Sequence, residues 1–151
     1  MDDQREPYRI EDSIETRADP ETVMRRILNP QTWPDWQSEI VRATGPDRIE
    51  EGDQVTGDAR LVGFKVQGRS DAHVVAEDLY IEDVIVGVRM VVTYQVKPIS
   101  GGAIVIRSLE ADLPRGIAGS MLSVVLRAKL RRMQKKLLRD LSAQAEAGAS
   151  D

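Results

Sequence analysis

From Tyr8 to Thr16 apolar and polar residues alternate, with Tyr8, Ile10, Asp12, Ile14 and Thr16 on one side and Arg9, Glu11, Ser13 and Glu15 on the other. A period of two marks a half-buried β-strand. Asp12 stands out as a carboxylate on the apolar side. The period changes at Asp19-Pro20-Glu21, which supplies a capping residue, a proline suited to the first helical position and an acid in the first turn. Val23, Met24, Ile27 and Leu28 then follow at helical spacing. Asn29-Pro30 ends this helix, because a residue before proline is pushed out of the helical region. A second short helical turn is expected from Pro30 through Trp33-Pro34-Asp35-Trp36.

Residues 38–112 read as strands punctuated by turn chemistry at Gly45-Pro46-Asp47, Glu51-Gly52-Asp53, Val62-Gly63-Phe64, Glu77-Asp78, Gly87 and Ser100-Gly101-Gly102. The predicted segments are Ile40–Thr44, Gln54–Leu61, Lys65–Ala76, Tyr80–Val86, Arg89–Lys97 and Ala103–Ala111. Connections this short cannot hold crossover helices, so consecutive strands pair antiparallel, most simply as a meander.

From about Gly116 to Glu146 the chain has no proline and reads as one long helix. Ile117, Met121, Val124, Val125 and Ala128 make one apolar stripe; Leu122, Leu126, Leu130, Met133, Leu137 and Leu141 make a second. A single curved sheet can bury its inner face only against such a helix. The class is therefore α+β. Residues 1–7 are read as a flexible leader, 8–146 as one domain, and 147–151 as a disordered tail.

Composition narrows the chemistry. The 151 residues contain no cysteine and one histidine, which removes disulfides, thiolate metal sites and cysteine nucleophiles. No cofactor and no metal site is expected, since no ligand cluster stands beside His73. The N-terminus is acidic and polar where a signal peptide would be basic and then apolar, and no apolar run approaches the roughly 20 residues that span a bilayer. A cytoplasmic protein is the expectation.

The formal charge of −4 is unevenly spread. Residues 1–58 hold 15 acids and 7 bases, residues 59–112 hold 7 and 6, and residues 113–151 hold 3 and 8. Seven bases fall between Arg127 and Arg139. A basic amphipathic helix suits an anionic membrane surface, and weak peripheral contact through this helix is left open beside the plainer reading of a solvated face. Nucleic acid is not expected, because no aromatics interleave these bases.

Several motifs, taken in order, resemble one family. They are residues 14–23, Trp33-Pro34-Asp35-Trp36, Glu51-Gly52-Asp53-Gln54-Val55 opening a strand, Val96-Lys97-Pro98 with Gly101-Gly102 before the last strand, and the terminal helix. Together they are similar to the START/polyketide-cyclase-like (SRPBCC, birch-pollen-allergen-like) superfamily over about residues 8–145. The resemblance implies a helix-grip fold, in which a curved antiparallel sheet of about seven strands wraps a long C-terminal helix, with two short helices after the first strand. It also implies an apolar pocket that relatives use for lipids, sterols or polyketides. Fold alone does not settle function.

The candidate pocket residues are Trp33, Trp36, Met90, Val92, Tyr94, Ile117, Met121, Val124 and Val125. Small residues from Gly116 to Ser123 suit a roomy mouth, and the low aromatic content suits an aliphatic pocket. Trp36 is read first as an anchor for the short helices; Trp33 is balanced between core and ligand contact. Asp12, Tyr94 and His73 are the candidate catalytic groups. The plainer readings are a structural partner for Asp12 and a solvent-facing His73, and the face occupied by Arg107 is undecided. Two functions result: a carrier or binding module for a hydrophobic small molecule, monomer or homodimer, or a polyketide aromatase/cyclase or dehydrase. A protein-interaction domain would instead expose a large apolar patch.

Overall fold

The computed structural model describes residues 7–61, 63–112 and 121–149. Strand β1 (Tyr8–Thr16) is followed by helix α1 (Pro20–Ile27), a 3-10 turn (Pro30–Thr32) and the short helix α2 (Trp33–Trp36). Six strands come next: β2 (Ile40–Thr44), β3 (Gln54–Leu61), β4 (Phe64–Ala76), β5 (Leu79–Val86), β6 (Val88–Ile99) and β7 (Gly102–Asp112). Helix α3 (Met121–Ala149) ends the chain.

Local chemistry sets these boundaries. The Asp19 carboxylate accepts a hydrogen bond from the Thr22 amide at 2.8 Å, with Pro20 opening α1. Asn29 repeats the device for the 3-10 turn, accepting from the Gln31 amide at 3.1 Å. At the β5–β6 turn the chain reverses through Gly87 at φ +78°, between the paired Val86 and Val88, in a region where a Cβ is penalised.

The strands β2 to β7 form the expected meander. β1 closes the opposite edge against β7, so the sheet order is β1-β7-β6-β5-β4-β3-β2 with every pair antiparallel. The short helices carry the chain from one edge to the other. This is a helix-grip architecture: seven curved strands around one long helix.

Helix α3 packs on β1, β7, α1 and α2. Near its start, the Arg131 Nε donates to the Tyr8 hydroxyl at 3.0 Å and the Arg127 guanidinium lies 5.3 Å from the Tyr8 ring centre. Near its end, Glu146 accepts from the Arg17 amide at 2.9 Å and the Thr16 hydroxyl at 3.2 Å. That amide bond holds the Glu146 carboxyl below the usual range. The helix runs as far as Ala149, so it covers most of the stretch expected as a tail.

One stripe of α3 is buried, through Leu130, Gln134, Leu137, Leu138, Leu141 and Ala145. The other expected stripe is not. Val124 and Val125 are 63% and 48% exposed, and so are not pocket residues. At about 100° per residue they point roughly 120–140° away from Leu130. Ile117 and the Met121 side chain lie outside the described residues.

Candidate functional site

Inward-facing positions on the outer arm of the sheet are small: Gly57 and Ala59 on β3, Gly68, Ser70 and Ala72 on β4. Gly57 is required by the backbone as well, because a Cβ there would collide with the Arg42 carbonyl oxygen where β2 shifts register. Since α3 leans toward the β1 side and these side chains are short, a cavity of about 110 Å³ remains beneath β2–β6.

Its wall is mostly aliphatic. Val55, Val84, Val86, Met90, Val92 and Leu109 face it from the sheet, Met133 and Leu137 from α3, and Trp33 from α2. The Trp33 indole is fixed by donating to the Ile27 carbonyl at 2.9 Å. Exposed Ser38, Arg42 and Arg69 border the mouth, where Arg42 and Asp58 form an ion pair at 3.3 Å.

One part of the wall is polar and buried. Glu82 is 4% exposed, and one of its carboxylate oxygens accepts from Ser70 at 2.9 Å and from Tyr80 at 3.1 Å. Burial pushes the Glu82 carboxyl above the usual range, with the Arg107 charge and the two hydroxyl bonds pulling the other way. Burial pushes the Tyr80 hydroxyl up too, and neighbouring Glu82 adds to that shift.

Arg107 faces inward and is 3% exposed, which settles its position. Its Nη1 donates to Gln134 Oε1 at 2.6 Å, and Gln134 Nε2 donates to Asp12 at 3.0 Å and to the Arg107 carbonyl at 3.2 Å. Asp12 thus has a structural partner, Gln134, across from its register mate Arg107. The Arg107 guanidinium sits 5.1 Å from the Tyr94 ring centre. Among the described residues, Arg107 Nε and the Tyr94 hydroxyl are the buried side-chain polar atoms without a hydrogen-bond partner.

Of the sequence candidates, Trp33, Met90 and Val92 line the cavity. Tyr94 and Trp36 lie in the core beside it: Tyr94 stacks on Tyr80 at 6.1 Å and meets Trp36 edge-on at 6.2 Å. Burial raises the Tyr94 hydroxyl to about 12, with Arg107 opposing the shift and Glu82 adding to it. His73 lies on the outer face, 3.4 Å from Glu51 and 3.5 Å from Asp83. No group of three potential metal ligands occurs among the described residues.

Sequence reasoning passed over Glu82, Ser70 and Gln134, and left the face of Arg107 undecided. The signal for Glu82 was available, since Tyr80, Glu82, Val84 and Val86 share one phase of an alternating strand, as Asp12 does in β1.

The raised Glu82 carboxyl has a consequence for stability. A glutamate ordinarily titrates at about 4.5, and above that pH the unfolded chain releases a proton that the native state still holds. Stability therefore falls with rising pH until the native carboxyl has ionised as well. Glu82→Gln, which can still accept from Ser70 and Tyr80, lacks that slope. Denaturant unfolding between pH 4 and 8 is expected to show the variant gaining on the wild type as pH rises; a pH-independent difference would contradict the assignment.

The comparisons fit this geometry. The solved structure of TTHA0849 from Thermus thermophilus matches with a TM-score of 0.80 at 18% identity, covering 93% of this chain and 99% of that one. A START superfamily protein from Mycobacterium smegmatis matches with a TM-score of 0.74 at 14% identity, over 92% and 97%. The di-domain aromatase/cyclase StfQ, from the steffimycin biosynthetic pathway, matches with a TM-score of 0.76 at 17% identity, over 96% of this chain and 52% of that one. These likenesses concern the fold. No curated protein sequence matches the chain. The model of the family described as polyketide cyclase / dehydrase and lipid transport matches residues 7–146. The chain belongs to that family, within the SRPBCC superfamily.

Proposed function

We propose that the protein binds a hydrophobic small molecule between the sheet and α3. The observation that carries this reading is the aliphatic cavity with a few buried polar groups on one wall, a combination suited to holding and orienting an apolar ligand. A volume of about 110 Å³ is smaller than the roughly 150 Å³ of a cavity that holds benzene, so it accepts only part of an apolar ligand as it stands. A longer ligand would extend through the mouth beside Arg42. Extraction of the purified protein into organic solvent followed by mass spectrometry tests the reading, together with titration by fatty acids, sterols and aromatic polyketides. Trp33 fluorescence reports occupancy, since its indole is part of the wall. No bound species and no saturable titration would refute it.

Filling the cavity gives a second check. Ala59→Phe places a ring where the ligand would sit, displacing about three methylenes of buried contact at ~0.8 kcal/mol each, so affinity should fall roughly 50-fold. Its Tm should move little, because the ring enters existing space. Unchanged affinity in a folded variant would place the ligand elsewhere.

The cyclase or dehydrase reading is the alternative, and Glu82 is the observation that favours it. A buried carboxyl on the cavity wall, with its proton held more firmly than usual, is suited to general-acid work. Asp12 is engaged by Gln134, and His73 lies outside the cavity. On this reading Glu82→Gln abolishes turnover of a poly-ketone substrate while binding persists.

A further inference from the structure

We propose that the polar wall of the cavity is a carboxylate site, and that the ligand is an apolar organic acid whose carboxylate accepts from the Arg107 guanidinium. The proposal rests on the reading of the cavity as an apolar ligand site and names the chemical class it takes. A guanidinium has five N–H donors and cannot lose its proton inside a protein. Arg107 spends Nη1 on Gln134, lies over the Tyr94 ring, lines the cavity at 3% exposure, and makes no ion pair with a carboxylate among the described residues.

Charge decides between an acid and a neutral carbonyl compound. The acids near Arg107 are Asp12 on β1, reached through the Gln134 amide from α3, and Glu82 on β5. Among the described residues, Glu82 accepts from the hydroxyls of Ser70 on β4 and Tyr80 on its own strand, and burial favours its neutral form. The Tyr94 hydroxyl on β6 stays neutral across the physiological range. A buried cation whose cavity-side acid tends to hold its proton lacks a full counter-charge, which a ligand carboxylate supplies. At the mouth, Arg42 and Asp58 already neutralise each other, while Arg69 and Glu39 are more accessible to solvent and weigh less at the buried end. With one buried guanidinium and a largely aliphatic inner wall, the site matches a single negative charge on a hydrophobic body.

Glu82 then becomes the group that sets the pH range of binding. Protonated, it tolerates the carboxylate and can donate to it; ionised, it repels it.

The test compares 3-phenylpropanoate with 3-phenylpropan-1-ol, molecules of similar size with and without the charge, by calorimetry and Trp33 fluorescence. Wild-type protein should bind the acid at least about tenfold more tightly than the alcohol at pH 6. Arg107→Gln should erase that preference while still binding the alcohol. As pH rises and Glu82 ionises, the acid should lose affinity relative to the alcohol in the wild type, but not in Glu82→Gln, which keeps the proposal testable if the Arg107 variant does not fold. Equal binding of acid and alcohol overturns the carboxylate site and leaves the apolar cavity intact. Binding of neither overturns both readings, and identical pH profiles for wild type and Glu82→Gln remove Glu82 from the site.

Discussion

Gln134→Leu is expected to destabilise the protein by about 3–5 kcal/mol, the usual cost of stripping a partner from a buried charge. Gln134 is 0% exposed and central to the network, accepting from Arg107 Nη1 and donating to Asp12 Oδ2 and the Arg107 carbonyl. Leucine is close in volume and suits the apolar face of α3, so packing changes little. What changes is solvation: the Arg107 guanidinium loses an acceptor at 2.6 Å and the Asp12 carboxylate loses a donor at 3.0 Å. The double variant Arg107→Met with Gln134→Leu removes the orphaned charge and is expected to recover much of the loss. Urea unfolding of both variants checks this. A single-variant loss below about 1 kcal/mol, or a double variant no better than the single, would show that the network does not carry the charge.

That network also marks where sequence reading stops. Alternation in β1, the cap at Asp19, the stop at Asn29-Pro30 and the glycine turns are local signals, and each acts through the backbone within a few residues. The strand order follows from short connections. Arg107 and Gln134 are 27 positions apart, and nothing near either one announces the other. Gln134 falls inside the Leu130, Met133, Leu137 stripe and reads there as a polar interruption of an apolar face. The faces of α3 show the same limit. Two adjoining stripes were legible, but which one the sheet covers depends on how far α3 rotates toward β1, a tertiary outcome fixed by contacts such as Glu146 with the Arg17 amide.

The cavity itself is written in what is missing from the sequence. Ala59 and Ser70 occupy inward phases where leucine or valine would fill the space, and Gly57 and Gly68 line the cavity with backbone alone. Small residues on a strand usually argue for a weak strand or a turn. They become a cavity signal only once β3 and β4 are known to pair with Gly57 opposite Gly68, which brings the short positions of both strands to one place.

Trp36→Ala is expected to cost about 3–5 kcal/mol, and to lower Tm by roughly 10 °C for a domain of this size. Helix α2 is only four residues long, too short to persist on its own hydrogen bonds. Its anchor is the Trp36 indole, 1% exposed, with its ring edge-on to Tyr94 and its Nε1 donating to the Thr32 hydroxyl at 3.1 Å. That hydroxyl in turn donates toward the Arg26 and Asn29 carbonyls at 2.8 Å, linking α2 to the end of α1. Truncation therefore opens a void beside Tyr94 and releases the segment that carries Trp33 over the cavity. Trp36→Phe should separate the two effects, keeping the ring contact while losing the indole hydrogen bond, for about 1 kcal/mol plus the smaller ring. Phe64→Ala, at a side chain 75% exposed, should stay within about 0.5 kcal/mol and serves as the control. If Trp36→Ala unfolds no earlier than that control, α2 is held in place by something other than its tryptophan.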